Sequence, residues 1–443
     1  MTRSTAPLRS ALRVAKRLAC AVAVLFFPSA ALALPAPQSG VLPHGGTYLI
    51  AADAQAPTAA IDLWFRAPAD GYAAPVPGIA RVAAAAAAAS RLVTGRTLAE
   101  TVAQAGGNLT IAVYPDLVAI DVIVPPSAAR RVLASLTAAY FSASIDAASL
   151  EAGEKDTIVQ VVQQQYEADV LAQDALFGAL FSSGPATQPP IPLGPDQLSH
   201  LQLSAVRDFA QRAFRSSNAF LTMAGDVDET MLSVVTDGSG VAAPDAPIYS
   251  KPAASSAKSA TVRGGEPGIG IGWLGPPIAD ERAATALDFV ADYLFNSGDG
   301  TVIKAFERAG SSAYLHGQFI TLHDPGIMLV TLENTSDQSL EQKVLEAIAA
   351  LQKPLDAQTF AAAREAFIYH IDTQTQTPGE QADMLGWYAA EGAAAYAPGG
   401  SEYERIARSL DPDFVAATVR RYLSHPVTVR VLVSPQTQTG SST

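Results

Sequence analysis

The chain has 443 residues, 49% of them apolar, with 42 acidic against 29 basic side chains and a formal net charge of −13. That balance argues against nucleic acid or an anionic membrane surface as a partner, while the length suffices for two domains of about 200 residues each. The single cysteine, Cys20, provides no internal disulfide, so stability must come from core burial.

The chain opens MTRSTAPLRSALRVAKRLACAVAVLFFPSAALALPAPQSG. Five cations (Arg3, Arg9, Arg13, Lys16, Arg17) precede an apolar run centred on Ala21 to Phe27, and the small-residue site Ala31-Leu32-Ala33 follows. This pattern predicts a secretory signal peptide, residues 1–33, cut after Ala33. The run is short for a membrane anchor, and no lipobox-like residues precede Cys20. Cleavage would leave 410 residues and, with five cations lost, lower the net charge from −13 to −18. Export, to a bacterial periplasm, is the expected localisation. No later apolar run is long enough to span a bilayer, so no stable membrane insertion is expected.

Beyond the leader, TYLIAAD and AAIDLWFRA read as strands. Residues 79–92 follow as a helix holding seven consecutive alanines, 83–89. TLAETVAQAGG predicts a helix stopped by Gly106-Gly107, and LTIAVYPDLVAIDVIVP a hairpin turning at Pro115-Asp116. Ser127 is the expected N-cap of SAARRVLASLTAAYF, and residues 150–181 keep one long helical period. The stretch 243–268, APDAPIYSKPAASSAKSATVRGGEPG, lacks an apolar period and reads as a linker.

The two sides of that linker resemble each other when shifted by 209 positions: Trp64 and Pro68 fall on Trp273 and Pro277, Leu201 on Leu410, Val206 on Val415, and Arg212 on Arg421. Each side opens on a strand, passes through helices and ends on a helix followed by a strand, as a duplicated domain would. The expected organisation is an N-terminal domain at 40–242, the linker at 243–268, a C-terminal domain at 269–435 and a disordered tail at 436–443. The fold class is α+β, each domain an antiparallel sheet covered by helices.

The order LPHGGTYLIAAD, GIARVAAA, AGGNLTIA, LEAGEKDTIVQVV, AFRSSNAFLTMAGDVD resembles the N-terminal domain of the pitrilysin–insulinase metallopeptidase family, and DYLFNSGDGTVIKAFERAGSSAYLHG is similar to its second domain. The resemblance covers nearly the whole chain after the leader. It implies two α+β domains forming a half-shell, and two half-shells closing around a peptide chamber. Active members carry the inverted motif H-x-x-E-H on a helix, where residues three and four apart share one face and converge on zinc and its water. A further Glu downstream completes the site.

Laid on this chain, the first His falls at Arg81, the Glu base at Ala84, the second His at Ala85 and the downstream Glu at Val161 (Val162 if the register slips by one). Arginine keeps its proton and has no lone pair for zinc; alanine and valine supply neither ligand nor base. Alanine costs least in a helix, so the helix is expected to persist as scaffold without zinc chemistry.

The chemistry has no evident second home. The histidines are His44, His200, His316, His323, His370 and His425, and none begins a zinc motif. His316 and His323 are expected to flank a strand and hairpin as surface residues. Glu154 and Lys155 read as a solvated helix face, and no G-x-S-x-G elbow or Walker loop occurs.

In active assemblies of the family the second domain supplies an Arg and, seven residues later, a Tyr to substrate and oxyanion. Tyr314 fits the Tyr, but the place seven before it is Glu307, and Arg308 is one residue late. Burial in an interdomain wall would account for Tyr314 equally.

The expectation is therefore a proteolytically inactive subunit with no cofactor. Its expected partners are a homologous zinc-bearing metallopeptidase subunit and peptide or unfolded polypeptide. The alternatives are a stand-alone peptide-holding protein and an enzyme with relocated chemistry.

Overall fold

Among the described residues eleven strands build two sheets, and the central strands β3, β8 and β10 are buried nearly throughout because helices cover both of their faces. The computed structural model describes residues 37–67, 76–114, 116–164, 167–181, 194–236, 259–373 and 376–433. The signal-peptide reading at 1–33, the linker residues 243–258, Pro68, Pro115 and the tail at 436–443 lie outside the described residues.

The first half runs β1 (Gln38–Val41), β2 (Thr47–Ala52), β3 (Ala59–Arg66), α1 (Ile79–Ala89), α2 (Leu98–Gln104), β4 (Asn108–Val113) and β5 (Leu117–Val124). It continues with α3 (Pro126–Phe141), α4 (Ala147–Gln164), α5 (Ala168–Phe181), α6 (Pro195–Leu198), α7 (Leu203–Ala213) and β6 (Ala219–Gly225). The second half runs β7 (Ser259–Gly264), β8 (Gly268–Leu274), α8 (Glu281–Phe295), α9 (Thr301–Arg308), β9 (Tyr314–Ile320) and β10 (Ile327–Glu333). It ends with α10 (Gln338–Ala350), α11 (Ala357–Thr373), α12 (Pro378–Ala390), α13 (Ser401–Arg408), α14 (Pro412–Tyr422) and β11 (Val427–Val433).

The strand orders are β1-β2-β6-β3-β5-β4 and β7-β11-β8-β10-β9. Apart from β1 they are one topology used twice. Each sheet is antiparallel except at the same place, where β2 runs parallel to β6 and β7 parallel to β11. Trp64 and Trp273 occupy corresponding strands, β3 and β8, and both are buried. The fold is α+β with two like sheets.

Local signals explain most boundaries. Thr97 and Glu100 form a capping box at the start of α2. The helix stops where Gly106 takes φ +72°, a conformation that glycine adopts without Cβ strain. Three expectations need correction. Ser127 does not cap α3: Pro125 is the N-cap and Pro126 the first helical residue, because proline's fixed φ and missing N–H suit a helix start. Part of the expected linker is structured, since Ser259–Gly264 form β7 and pair with β11. Residues 150–181 are not one helix but α4 and α5: α4 packs on α1 of the first half, and α5 on the second sheet.

That last separation organises the molecule. The first core lies between the inner face of the first sheet and α1, α3 and α7; the second lies under α8, α11, α13 and α14. The opposite face of each sheet is covered by a helix from the other half. α5 packs on β8, β10, β11 and β7, whereas α12 packs on β3, β6, β2 and β5. α5 is apolar nearly all round, with Leu171, Ala172, Leu176 and Leu180 buried, as a helix enclosed on several sides must be.

Candidate functional site

α1 enters from Gly78, which holds φ +75°, and runs through the alanines with almost every side chain buried. Arg81, Ala85 and Ala89, four residues apart, form the less buried stripe. Its neighbour α4 approaches backbone to backbone: a Cβ on Gly153 would stand 2.6 Å from the Ala86 nitrogen. Small residues on both helices permit this contact.

The four positions expected to match the zinc site differ in their settings. Arg81 is half-buried at the start of α1. Ala84 is fully buried, and its carbonyl accepts a hydrogen bond from the Tyr140 hydroxyl at 3.0 Å. Ala85 borders a cavity of about 620 Å³. On α4, Val161 is buried in the first core while Val162 is 39% exposed, so Val161 is the residue that faces inward. Guanidinium, methyl and isopropyl groups offer no ligand to zinc and no base to water. Among the described residues, no group of three or more His, Asp or Glu side chains is placed to hold a metal ion.

The cavity runs beside β4, which pairs only with β5 and so leaves one sheet edge open. Leu109 and Ile111 of β4 and alanines of α1 and α2 form its apolar wall; Asp156 and Gln160 of α4 stand opposite. Asp146 at its rim accepts from the Ser149 N–H at 2.8 Å, and this bond holds its carboxyl below the ordinary range. A groove of this kind can take an extended chain as an added strand, with backbone hydrogen bonds at the edge and room for side chains against the alanines.

A second polar constellation, not singled out from the sequence, lies between the halves. A cavity of about 570 Å³ is bounded by α8, β9, α11 and α12 together with Tyr114 and Phe177 from the first half. Within it His370 Nδ1 lies 2.9 Å from Asp292 Oδ1 and 3.1 Å from the Asn296 amide. One turn earlier on α8, Asp288 accepts from the Tyr403 hydroxyl at 2.7 Å. Burial pushes the Asp288 carboxyl up to about 7, against the pull of that hydrogen bond and with the Asp292 charge adding to the rise. Burial likewise raises Asp292, opposed by its bonds to Asn296 and His370. The spacing of Asp288, Asp292 and Asn296 was a readable signal, since residues four apart share one helix face; their partner on α11 was not.

Tyr314 is the first residue of β9, the edge strand of the second sheet, and is 68% exposed. It fills no interdomain wall. Arg308 ends α9, exposed, with its Nε donating to the Lys304 carbonyl of the same helix at 3.0 Å. His316 does not flank a strand: it lies within β9, which begins at Tyr314, and is exposed opposite Thr331. His323 follows β9, and its Nδ1 lies 3.3 Å from the Glu391 carbonyl.

Residues 200–367 match the family model described as the peptidase M16 inactive domain. No curated protein matches the chain. Among solved structures it is similar to a protease from Helicobacter pylori, at 13% identity and TM-score 0.75, covering 91% of this chain and 100% of that one. It is also similar to a peptidase M16 inactive domain from Pseudomonas fluorescens, at 15% identity and TM-score 0.71, covering 90% and 98%. A chain of complex III2 from Candida albicans has the fold too, at 13% identity and TM-score 0.70, covering 89% and 95%. The chain thus resembles the peptidase M16 inactive domain over residues 200–367, shares its fold with these solved structures over about nine-tenths of its length, and contains no H-x-x-E-H motif.

Proposed function

We propose that the chain is an exported, proteolytically inactive subunit that pairs with a zinc-bearing homologue and helps to bind peptide in the chamber between them. One observation carries this reading. Both halves keep the full fold of the family, while the four positions that would do zinc chemistry hold Arg81, Ala84, Ala85 and Val161. A fold retained without its chemistry points to a role in binding and assembly. The groove beside the open edge of β4 supports peptide as the ligand. The likeness to a chain of complex III2 supports a place in a larger assembly. Purification from the native host, followed by identification of co-eluting chains, tests the proposal. A co-eluting homologue with intact H-x-x-E-H is expected. The same groove favours a second reading, a stand-alone peptide-holding protein, and recovery of the chain with bound peptides and no such homologue would select it.

A further inference from the structure

The two exchanged helices sit on their sheets in different ways. α5 rests on glycine: a Cβ on Gly270 would stand 2.8 Å from Leu176 Cδ1, and one on Gly268 would stand 2.9 Å from Ala168 Cβ. Val427, Val429 and Val431 of β11 complete that seat. Among the described residues no buried polar or charged residue lies on α5, β7, β8 or β11. The middle of this contact is apolar; its acidic groups gather at the start of α5, where burial and the charge of Asp169 raise Glu333 of β10.

The seat of α12 is of another kind. Among the described residues the buried charged side chains are Asp62, Asp116 and Glu391, and all three lie where α12 meets the first sheet. Asp62 on β3 and Asp121 on β5 are directly opposed cross-strand partners. Asp62 lies between Ala60, which packs with Ala382 of α12, and Trp64, which packs with Trp387. Asp383 of α12 adds a third carboxyl to this pair, its charge acting on both. The helix is also tied down by Thr222, whose hydroxyl donates to the Ala382 carbonyl at 2.9 Å, by Arg66 of β3, whose Nε donates to the Ala390 carbonyl, and by Gly386 against Trp64.

The groups facing this trio offer little compensation. β4 adds the Tyr114 phenol; β6 presents Phe220, Thr222 and Ala224, and β2 presents Ala51. Glu380, in the first turn of α12, is exposed and occupied in capping Thr377. The charges acting on Asp62 and Asp121 are those of other carboxylates. Farther along the helix, Asp116 and Glu391 form a second acidic pair; burial raises Asp116 to about 6 and Glu391 well above its ordinary range, with His323 and Arg66 opposing the rise only in part. Burial, with mutual repulsion, raises Asp62 well above the ordinary range and Asp121 to about 7; burial alone raises Asp383 to about 6.

We propose that α12 is a pH-operated latch: protonated Asp62, Asp121 and Asp383 let it lie on the first sheet, their ionisation frees it, and α5 keeps the halves joined throughout. The sign follows from the raised carboxyls. At about pH 5 they are neutral and tolerate one another; as pH rises Asp62 and Asp121 charge against each other inside the contact, with the exposed Asp383 charging at its rim, and the contact weakens. α12 also walls the inter-half cavity through Asp383, Met384 and Trp387, so release opens that cavity.

Hydrogen exchange of the full chain at about pH 5 and about pH 8.5, corrected for intrinsic exchange, reads both helices at once. The amides of α12 should lose about tenfold or more of their protection at the higher pH, the equivalent of at least one pKa unit, while those of α5 hold theirs. Asp121→Asn with Asp383→Asn should keep α12 protected at both pH values. Should that pair fail to fold, Asp383→Asn alone, on the more exposed carboxyl, should reduce the loss. Tryptophan emission provides a second readout, because Trp64 and Trp387 lie in the contact and Trp273 in the second core. α12 protection that ignores pH, that falls in step with α5, or that falls equally in the variants would overturn the latch.

Discussion

Gly386 of α12 lies so close to Trp64 of β3 that a Cβ on the glycine would stand 2.0 Å from the indole Nε1. The two residues belong to different halves, and the indole is fully buried with Tyr114 stacked on one side and Trp387 at its edge. Neither partner has room to yield. Gly386→Ala should therefore destabilise the chain by about 1–3 kcal/mol, the usual cost of overpacking a tight core. Chemical denaturation measures it. A neutral or stabilising Ala variant would mean that α12 does not hold this position.

Asp288 makes the second prediction. Its folded-state carboxyl titrates at about 7, against an ordinary value of 3.8. A raised acid stabilises fully below the ordinary value, and that stability is lost as pH climbs through the folded value. The chain should therefore become less stable between about pH 4 and pH 7. Asp288→Asn keeps an acceptor for the Tyr403 hydroxyl and removes the charge. The decline in denaturation free energy over that window should shrink by on the order of 1–3 kcal/mol. A variant with the wild-type pH slope would remove Asp288 from the account.

The groove beside β4 can be tested by filling it. Ala85 is partly exposed on the α1 stripe that borders the cavity, so Ala85→Leu should leave the core packing undisturbed. Under the proposed function it should weaken binding of an unfolded polypeptide about tenfold or more, as the loss of roughly 1.4 kcal/mol implies, with stability within about 0.5 kcal/mol of wild type. Fluorescence anisotropy with a labelled peptide decides, and unchanged affinity would place the ligand elsewhere.

Tyr314 tests the partnership. Its exposure on the edge strand β9 leaves the phenol free to reach a partner's site. With a zinc-bearing homologue reconstituted, Tyr314→Phe should lower turnover by about ten- to a thousandfold, the range for losing one oxyanion donor, without loss of complex formation. Arg308→Ala should matter less, since that guanidinium is engaged on its own helix. Full turnover in the Phe variant would make this subunit a passive wall.

Much of this was readable from residue order. The duplication showed in Trp64 and Trp273, which do stand on corresponding strands, and the absence of an H-x-x-E-H motif is a matter of residue identity. The destinations of α5 and α12 were not readable. A helical period tells which side of a helix is apolar, not which sheet will cover it, and α5 is apolar on nearly every side. For the same reason the acid-loaded seat of α12 was invisible. Asp62, Asp121 and Asp383 are scattered along the chain, and only cross-strand register and the helix exchange bring them together. The His370–Asp292 pair, 78 residues apart, is a further product of tertiary packing.

Metal content measured together with peptidase activity on the purified chain bears most directly on whether any zinc chemistry survives. Arg81, Ala84, Ala85 and Val161 hold neither ligand nor base, so the chain should carry no stoichiometric zinc after equilibration with the metal and should leave unfolded peptides uncut. One zinc per chain, with cleavage abolished by a chelator and restored by zinc, would contradict the reading outright.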